Sequence, residues 1–500
     1  MKIKIPQKDL ADTLSLVSYA VPSKPHHPIL NNVLFIADKR KQQIVLTTFD
    51  MSIGIRAECK CFVENSGTIA LRAKLLSQLV SSLPKNDITV EIADNNAVLS
   101  HSSGFCRIQT FNPQEFPALP EANDTIITLP ASKLLQALEA TLFAASLDET
   151  KLVLAGVHFK FAVTNWQAAA TDGHRLAVAS GTIESSGDAE NASDLIEITI
   201  PYQTLTELQK ILGSVGENNE CTISVGGGTV VFNLPSIRVT SRILEGEYPK
   251  YPSLIPQQFE HQFIVDRKVL DNVLKRVGIV AEQKEKVVAI TFDYSSQQAT
   301  LSTESQDVGG AVESIVINST GDSQQKLHIG FNIKYLSDAL RFLPTDEVLI
   351  HANRPTTPVI ITPVGGILNQ LVLVMPVQLT AAEEAVITVD SSSSTEPMTT
   401  EDISIANQQT PIASKETSLT SPTDEETTIT DEEALSTTEV AAEVALVMAG
   451  SGLEAPPQPT EVNTDAEATE DTTTVTHSPT TSTTLTIKTK GRKKKTEAAA

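Results

Sequence analysis

The sequence predicts an α+β protein built from three tandem copies of one domain, followed by a long acidic tail. Two sets of three similar segments indicate the copies, and a change of composition after residue 379 indicates the tail. A chain of 500 residues is too long for one hydrophobic core, so several domains of about 100 to 150 residues each are expected. We place the domains at 1–121, 125–252 and 259–379, and the tail at 380–500.

The first element of each copy is an alternating strand that runs into a helix. The three segments read IKIPQKDLADTLSLV, ITLPASKLLQALEAT and FIVDRKVLDNVLKRV. Two leucines four residues apart lie on one face of each predicted helix, as a helix that packs on a sheet requires. The leucine pairs are Leu10 and Leu14, Leu134 and Leu138, and Leu270 and Leu274.

The second element repeats strand, helix and turn in the same order, as TIALRAKLLSQLVSSLPKND, EITIPYQTLTELQKILGSVGEN and KLHIGFNIKYLSDALRFLPTDE. Each helix has two leucines seven residues apart: Leu76 and Leu83, Leu205 and Leu212, and Leu336 and Leu343. We expect the helices to end at Pro84, Gly213 and Pro344, because proline and glycine interrupt helices. Two sets of segments in the same register favour a triplicated domain over chance.

The remainder of each copy is predicted to form strands joined by tight turns. CTISVGGGTVVFN is typical of a hairpin, and the first two copies close in the proline-rich connectors EFPALP and EYPKYP. Helices that cover one face of a sheet leave its edges unpaired, so successive copies are expected to join edge to edge. If two chains meet head to tail, six domains close a ring and the last free edges disappear.

Acidic residues are concentrated in the tail. Residues 380–500 carry 22 acidic and 7 basic side chains, and so hold −15 of the total formal charge of −23. Threonine, serine and acidic residues dominate this segment, which lacks a sustained apolar period to offset the entropy cost of ordering. We therefore expect a disordered tail on a mildly acidic folded part. Its basic end, KGRKKK, is compatible with phosphate binding, an address signal or solubilisation.

Cysteine usage and hydropathy exclude several classes of protein. Cys59, Cys61, Cys106 and Cys221 form no C-x-x-C pair, which favours reduced thiols over a zinc site. The first residues, MKIKIPQKDL, do not resemble a signal peptide, and no apolar run approaches about 18 residues. We expect a soluble, cytoplasmic protein without a metal or other cofactor.

The segment ATDGHRLA, residues 170–177, is the strongest candidate for a functional site. Asp172 and His174 could be a general base and its orienting group, and Arg175 could bind an anion. The matching segments LTTFDMSIGIRAE and TLSTESQDVGGAV keep the turn but lack Gly-His-Arg, which favours a function special to the second copy. Catalysis is disfavoured because neither a nucleophile nor a metal-ligand spacing accompanies the motif. An ordinary capped surface turn is the alternative.

Four motifs occur together within residues 1–379: ATDGHRLA, EYPKYP, GFNIKYL and the closing VMPVQL. In these motifs the chain resembles the beta sliding clamps of bacterial DNA polymerase III. The resemblance implies a head-to-tail homodimer of three-domain chains, which forms a six-domain ring around double-stranded DNA with helices inside and sheets outside. It also implies that the protein is not an enzyme.

The resemblance further implies an apolar groove that receives short linear peptides. Residues matching the groove come from the second domain, the connector and the third domain: Leu154, Thr171, Gly173, His174, Arg175, Leu176, Pro249, Leu254, Asn332, Tyr335, Val374, Met375, Pro376, Val377 and Leu379. Aliphatic residues and methionine would form adaptable walls, while His174 and Arg175 would fix polar ends. Ser253, Val377 and Gln378 replace the family's usual basic residue, methionine and arginine, which predicts a different peptide preference.

The same resemblance assigns surfaces for DNA and for a second copy. Lys24 in VPSKPHHP would face DNA, together with basic residues of the inner helices: Lys133, Lys210, Lys275, Arg276 and Arg341. At the dimer interface, the edge strand of Cys106 and Ile108 would meet the helix of Ile279 and Val280, with Lys74 nearby.

The implied partners are double-stranded DNA without sequence preference, the DNA polymerase III catalytic subunit, the clamp loader, and other polymerases and repair proteins with clamp-binding peptides. These partners place the protein in the cytoplasm, on the nucleoid. Two alternatives remain: a DNA-binding scaffold of the same domains without a closed ring, and an enzyme that uses Asp172 and His174. The size of the protein in solution separates the ring from the scaffold.

Overall fold

The computed structural model of the chain describes residues 1–379 except 94, 123–124, 149, 163, 184–194, 217, 282–285, 306–307, 321–325 and 367. The predicted tail, 380–500, lies outside the described residues. In the described part, three successive sets of strands and helices form three domains, and each set contains two α-helices.

Each domain contains two strands that lead directly into a helix. The first domain consists of β1 (Lys2–Pro6), α1 (Gln7–Ser18), β2 (Asn32–Asp38), β3 (Gln43–Phe49), β4 (Ile53–Lys60), β5 (Phe62–Asn65), β6 (Gly67–Arg72), α2 (Ala73–Ser82), β7 (Asp87–Ala93), β8 (Asn96–His101) and β9 (Gly104–Gln109). The second consists of β10 (Thr125–Pro130), α3 (Ala131–Thr141), β11 (Gly156–Phe161), β12 (Asn165–Thr171), β13 (Arg175–Thr182), β14 (Ile196–Pro201), α4 (Tyr202–Ser214), β15 (Glu220–Gly226), β16 (Thr229–Asn233) and β17 (Ile237–Arg242). The third consists of β18 (His261–Asp266), α5 (Arg267–Val280), β19 (Val287–Asp293), β20 (Gln298–Ser305), β21 (Gly309–Val316), β22 (Asn318–Thr320), β23 (Leu327–Asn332), α6 (Ile333–Arg341), β24 (Glu347–Ala352), β25 (Val359–Pro363) and β26 (Asn369–Val374).

The helices form where the leucine spacing predicts them. All six leucines of the first set and all six of the second are buried, as expected for helices that pack by one face, although Leu83 and Leu343 follow the ends of α2 and α6. Helices α2 and α6 end shortly before Pro84 and Pro344, as expected. The prediction for Gly213 is wrong by one residue: α4 continues through it to Ser214, because the chain becomes extended only at Val215.

Four antiparallel sheets organise the described residues, and two of them cross from one domain to the next. The eight-stranded sheet joins the first and second domains because β17 pairs with β4, with Val239 opposite Ile55. The nine-stranded sheet joins the second and third domains because β26 pairs with β13, with Val372 opposite Ala177. The expected edge-to-edge joining of copies is confirmed.

The other two sheets end on strands at opposite ends of the domain series. The five-stranded sheet has the order β5-β1-β7-β8-β9, and the four-stranded sheet has the order β21-β20-β19-β23. Within the described residues, β9 and β21 each pair with a single neighbouring strand, so one edge of each strand is open.

None of the helices in the described part of the chain has the length and apolar composition needed to cross a bilayer.

Candidate functional site

The turn between β12 and β13 has a geometry fixed by Asp172. Its Oδ1 accepts hydrogen bonds from the backbone N–H groups of His174 at 2.9 Å and Arg175 at 3.1 Å. Gly173 has a φ of 98°, which glycine adopts without steric cost. The Thr171 hydroxyl donates to the Arg175 carbonyl at 2.6 Å and closes the turn. The His174 side chain therefore projects from a rigid base.

The turn of the first domain repeats this geometry with other side chains. Asp50 Oδ1 accepts hydrogen bonds from the N–H groups of Ser52 at 2.8 Å and Ile53 at 2.6 Å. Met51, at the position of Gly173, has a φ of 81°. The aspartate sets the backbone in both turns, so the turn forms without Gly-His-Arg. In the third domain, residues 306–307 of the matching segment lie outside the described residues.

Arg175 connects the second domain to the third. Its side chain is 7% exposed, and its Nε donates to Asp172 Oδ2 at 3.0 Å. Its Nη1 donates to Oδ2 of Asp338, on α6, at 2.6 Å. The guanidinium carbon also lies 4.9 Å from the ring centroid of Tyr335 and 5.5 Å from that of Phe143. Two carboxylates and two aromatic rings thus stabilise the cation.

Tyr335 of α6 forms a wall beside the turn. The His174 imidazole stacks on its ring with centroids 5.7 Å apart and an interplanar angle of 12°. Asn332 fixes the start of α6, because its side chain accepts hydrogen bonds from the N–H groups of Lys334 at 3.0 Å and Tyr335 at 3.4 Å. Burial raises the pKa of Tyr335, so its hydroxyl stays neutral.

An apolar cluster lies beside the turn and forms a floor. Its buried members alternate along their strands with residues of the main core, so they occupy the opposite face of the nine-stranded sheet. They come from both domains and from the connector: Ala169, Leu176, Val178, Tyr248, Tyr251, Ile360 and Leu373. Partly buried side chains pack at the margin of this floor: Val153, Leu154, Ile255, Phe259, Leu371 and Met375.

The connector EYPKYP is held beside the floor by its two tyrosines. The Thr171 N–H donates to the Tyr248 hydroxyl at 3.1 Å, and Tyr251 is buried in the same apolar cluster. Burial raises the pKa of Tyr248, and it raises that of Tyr251 to about 12, so both phenols remain neutral. Pro249 and Leu254, which are partly exposed, are carried by this fixed segment.

After β26 the chain continues along the margin of the floor. The Met375 N–H donates to the His174 carbonyl at 2.9 Å, and the Val377 N–H donates to the Gly330 carbonyl at 2.9 Å. A Cβ atom at position 330 would lie 2.5 Å from the Val377 carbonyl oxygen and 2.7 Å from Cδ2 of Leu379, so glycine is needed for this close approach of the backbone. Residues 375–379 are thereby held next to the turn.

The three domains are similar to those of known proteins. Residues 1–120, 128–250 and 252–378 match the N-terminal, central and C-terminal domains of the DNA polymerase III beta subunit. The beta sliding clamp of Synechocystis sp. is 42% identical over 393 residues, which cover 76% of this chain and all of that protein. The chain belongs to the beta sliding clamp family.

Other sliding clamps agree in sequence and in fold. The beta sliding clamp of Synechococcus elongatus is 39% identical, again over 76% of this chain and 100% of its own length. The solved sliding clamp of Bacillus subtilis, at 26% identity, superposes with a TM-score of 0.70 over 76% of this chain and 100% of that chain. A sliding clamp from Bartonella birtlesii, solved bound to griselimycin, has the same identity, TM-score and coverage.

Membership of the sliding clamp family means that ATDGHRLA serves a processivity factor and not an enzyme. The geometry agrees, because the Asp172 carboxylate is engaged by backbone N–H groups and by Arg175, while His174 stacks on Tyr335. Among the described residues, no group of three or more His, Cys, Asp or Glu side chains could hold a metal ion.

The residues predicted for the clamp groove gather around the junction of β13 with β26. Four of them are buried and serve as its support: Thr171, Arg175, Leu176 and Val374. The others are at least partly accessible to a ligand: Leu154, Gly173, His174, Pro249, Leu254, Asn332, Tyr335, Met375, Pro376, Val377 and Leu379. Arg175, which the resemblance has fixing a polar end of the peptide, is buried and donates to both Asp172 and Asp338.

The sequence analysis missed several residues that complete this part of the clamp. Asp338 and Phe143 flank Arg175, and Tyr248 and Tyr251 hold the connector. One signal was available for Asp338: it follows Tyr335 by three residues, and such residues share a helical face. Phe143 carried no local signal, because its contact depends on the pairing of distant strands.

The basic residues assigned to the DNA side of the clamp differ in whether their side chains contact other groups of the protein. Lys24 is exposed in the loop after α1. The others each contact a neighbouring group: Lys133 the Thr182 carbonyl (3.4 Å), Lys210 Glu207 (2.9 Å), Lys275 Asp271 (2.5 Å), Arg276 Glu313 (2.6 Å) and Arg341 the Phe342 ring (5.5 Å). Three of these contacts are exposed ion pairs, those of Lys210, Lys275 and Arg276, and exposed ion pairs contribute little to stability.

The residues assigned to the dimer interface lie on the edge strand β9 or on one helix of the first or third domain: Lys74 on α2, Cys106 and Ile108 on β9, and Ile279 and Val280 on α5. Ile279 is 81% exposed. Ile108, in contrast, is only 5% exposed and packs in the core of its own domain. Phe105, which the sequence analysis omitted, is 64% exposed on the same strand.

Proposed function

We propose that the chain acts as a processivity clamp, in which two copies close head to tail into a ring around double-stranded DNA. The groove at residues 171–176 then tethers DNA polymerase III to that DNA. One observation carries the proposal: β4 with β17 and β13 with β26 form two filled junctions between domains, whereas the corresponding edges of β21 and β9 have no partner strand among the described residues.

Both filled junctions follow one rule. The strand after the aspartate turn of one domain pairs with the strand before the connector, or closing segment, of the next domain: β4 with β17, and β13 with β26. By its place in the domain β21 corresponds to β4 and β13, so by this rule it requires the strand before the connector of a first domain, which is β9. These edges lie at opposite ends of the domain series, so a second copy supplies each partner.

Exposed apolar side chains support the same pairing. Phe105 lies on β9, and Val312 and Val316 lie on β21. Ile279 is at the end of α5, the helix that packs on β21. Pairing of β9 with β21 would bring these exposed apolar side chains to one seam, where their burial is favourable.

A ring retains DNA without strong charge attraction. Residues 1–379 contain 39 acidic and 31 basic side chains, a poor composition for gripping a polyanion. A protein that holds DNA by charge loses on the order of 10³-fold in affinity as salt rises over a modest range. Encirclement needs only light contacts to phosphate, which carry no base information and permit sliding.

The retention of loaded protein on circular DNA tests this proposal. After loading by a clamp loader, the protein is expected to stay on a circular plasmid through a moderate-salt wash and to leave once a single cut makes the plasmid linear. A linear plasmid blocked at both ends is the control, on which retention should return. Equal retention on cut and uncut DNA would indicate binding by affinity and favour the open scaffold.

We infer the partner set from the same function. The groove would receive peptides of the polymerase III catalytic subunit, of the clamp loader, and of other polymerases and repair proteins. The half-exposed apolar margin and fixed floor suit a short hydrophobic anchor. The Bartonella birtlesii relative, bound to griselimycin, supports ligand binding by clamps of this fold. These partners place the protein in the cytoplasm, on the nucleoid.

A further inference from the structure

Arg175 takes part in an ion-paired cluster that spans two domains. It bonds Asp172 in its own turn and Asp338 on α6 of the third domain, at 3.0 and 2.6 Å. Tyr335, three residues before Asp338, presents its ring to the same guanidinium and to His174. Tyr335 and Asp338, one helical turn of α6, therefore contact both His174 and Arg175.

The sister junction shows that this cluster is not required to join two domains. Ile53 of the first domain corresponds to Arg175, and Glu207 of α4 corresponds to Asp338. Ile53 is buried and uncharged, and Glu207 pairs with Lys210 of its own helix at 2.9 Å. The strand pairing between β4 and β17 forms nonetheless. The Arg175–Asp338 pair thus belongs to the one filled junction that carries the groove.

We propose that Asp338 is a positioning residue of the groove: it locks Arg175 against α6 and so sets the distance of the His174 turn from Tyr335. This inference rests on the proposed role of the groove in peptide binding. It assigns Arg175 a structural role between domains, so the guanidinium is not the group that meets an incoming peptide. A buried arginine between two carboxylates is held by hydrogen bonds that are stronger than neutral ones.

Two roles for Arg175 predict opposite effects of Asp338→Asn. If Asp338 positions the groove, loss of its charge loosens the wall and weakens peptide binding by roughly tenfold, as expected when the carboxylate that accepts from Arg175 becomes a neutral amide. If Arg175 instead binds peptide directly, removal of a competing carboxylate frees it, and binding becomes tighter or stays unchanged. Asp172 still pairs with Arg175 in this variant, so no buried charge is left alone.

The experiment uses the full chain and a fluorescein-labelled peptide carrying the clamp-binding segment of the polymerase III catalytic subunit. Asp346→Asn is the matched control, since Asp346 forms an exposed ion pair with Lys268 in the same domain. We expect weaker binding for Asp338→Asn and unchanged binding for the control. Tighter or equal binding for Asp338→Asn would overturn the proposal.

A double-mutant cycle tests whether Asp338 acts on peptide binding through Arg175 or whether its substitution disturbs the fold in general. Arg175→Gln alone should weaken binding, and Arg175→Gln combined with Asp338→Asn should weaken it no further, because both changes break one interaction. Additive losses would contradict the pairing. If Asp338→Asn unfolds, the comparison is repeated with Asp338→Glu and Asp338→Gln, whose side chains have equal length. Only the charged variant, Asp338→Glu, should retain most of the affinity for the peptide.

The outcome also distinguishes this proposal from failure of the groove itself. If neither the parent chain nor any variant binds the peptide, the peptide-binding function fails. If the parent binds and Asp338→Asn binds equally well, the groove stands and the positioning role of Asp338 is refuted.

Discussion

Met375 and Leu379 are side chains of the groove margin that a hydrophobic anchor can cover. Met375 packs against the apolar floor, and Leu379 lies against Gly330. Shortening both to alanine should weaken peptide binding by about 2 to 4 kcal/mol, the range of interface hot spots, and leave the dimer intact. Fluorescence anisotropy measures the affinity, and Val364→Ala is the matched control on the same domain. Unchanged affinity in the double variant would place the binding surface elsewhere.

Buried histidines give the folded state a dependence on pH. Burial lowers the pKa of His158, His328 and His351 below the ordinary value of 6.5. The unfolded chain therefore takes up protons first, and stability that is complete above pH 6.5 falls as the pH drops toward the folded pKa values.

The urea midpoint, measured between pH 7 and pH 5, should fall over this window. His158 should contribute a slope of at most about 1.4 kcal/mol per pH unit. The variant His158→Gln should show a shallower decline than the parent, while the exposed His26→Gln should follow the parent. A midpoint independent of pH down to 5 would contradict the assignment.

At the scale of whole elements, the open edges make the ring sensitive to charge. Aspartates placed at both Ile279 and Val280 would be buried without partners on closing, at a cost of several kcal/mol. We expect the double variant to sediment as a monomer. Val269→Asp, at an exposed site on the first turn of the same helix, should sediment with the parent. A doubly substituted protein that remains dimeric would show that α5 does not form the seam.

Elements were predictable from the sequence where their signals were local. The leucine pairs of α1, α3 and α5 and the recurring turn follow from spacings of a few residues, and the structure confirms them. The floor of the groove could not be predicted. Ile360 and Leu373 join Leu176 only through the register of β13 with β26, which links residues almost two hundred positions apart. Phe143 was missed for the same reason.

At the scale of the whole molecule, residues 1–379 and the tail differ in composition. Both filled junctions, the open edges of β9 and β21 and the groove lie within residues 1–379, whereas residues 380–500 carry most of the excess negative charge. Deletion of 380–500 should therefore leave a folded dimer with the parent's unfolding midpoint. Light scattering and a thermal melt of the truncated protein test this, and loss of the dimer would show that the tail is structural.

The aspartate-capped turn forms at both Asp172 and Asp50, yet the number of peptide grooves in the proposed ring is smaller than the number of its domains. The first and second domains of each chain share this backbone frame, but Gly-His-Arg and an opposing Asp338 occur only at the turn of the second domain, since the matching segment of the third domain also lacks Gly-His-Arg. The valency of the proposed ring is therefore two. Enzymes that act at one DNA site would have to take turns on a pair of grooves, and their exchange would follow relative affinity and local abundance.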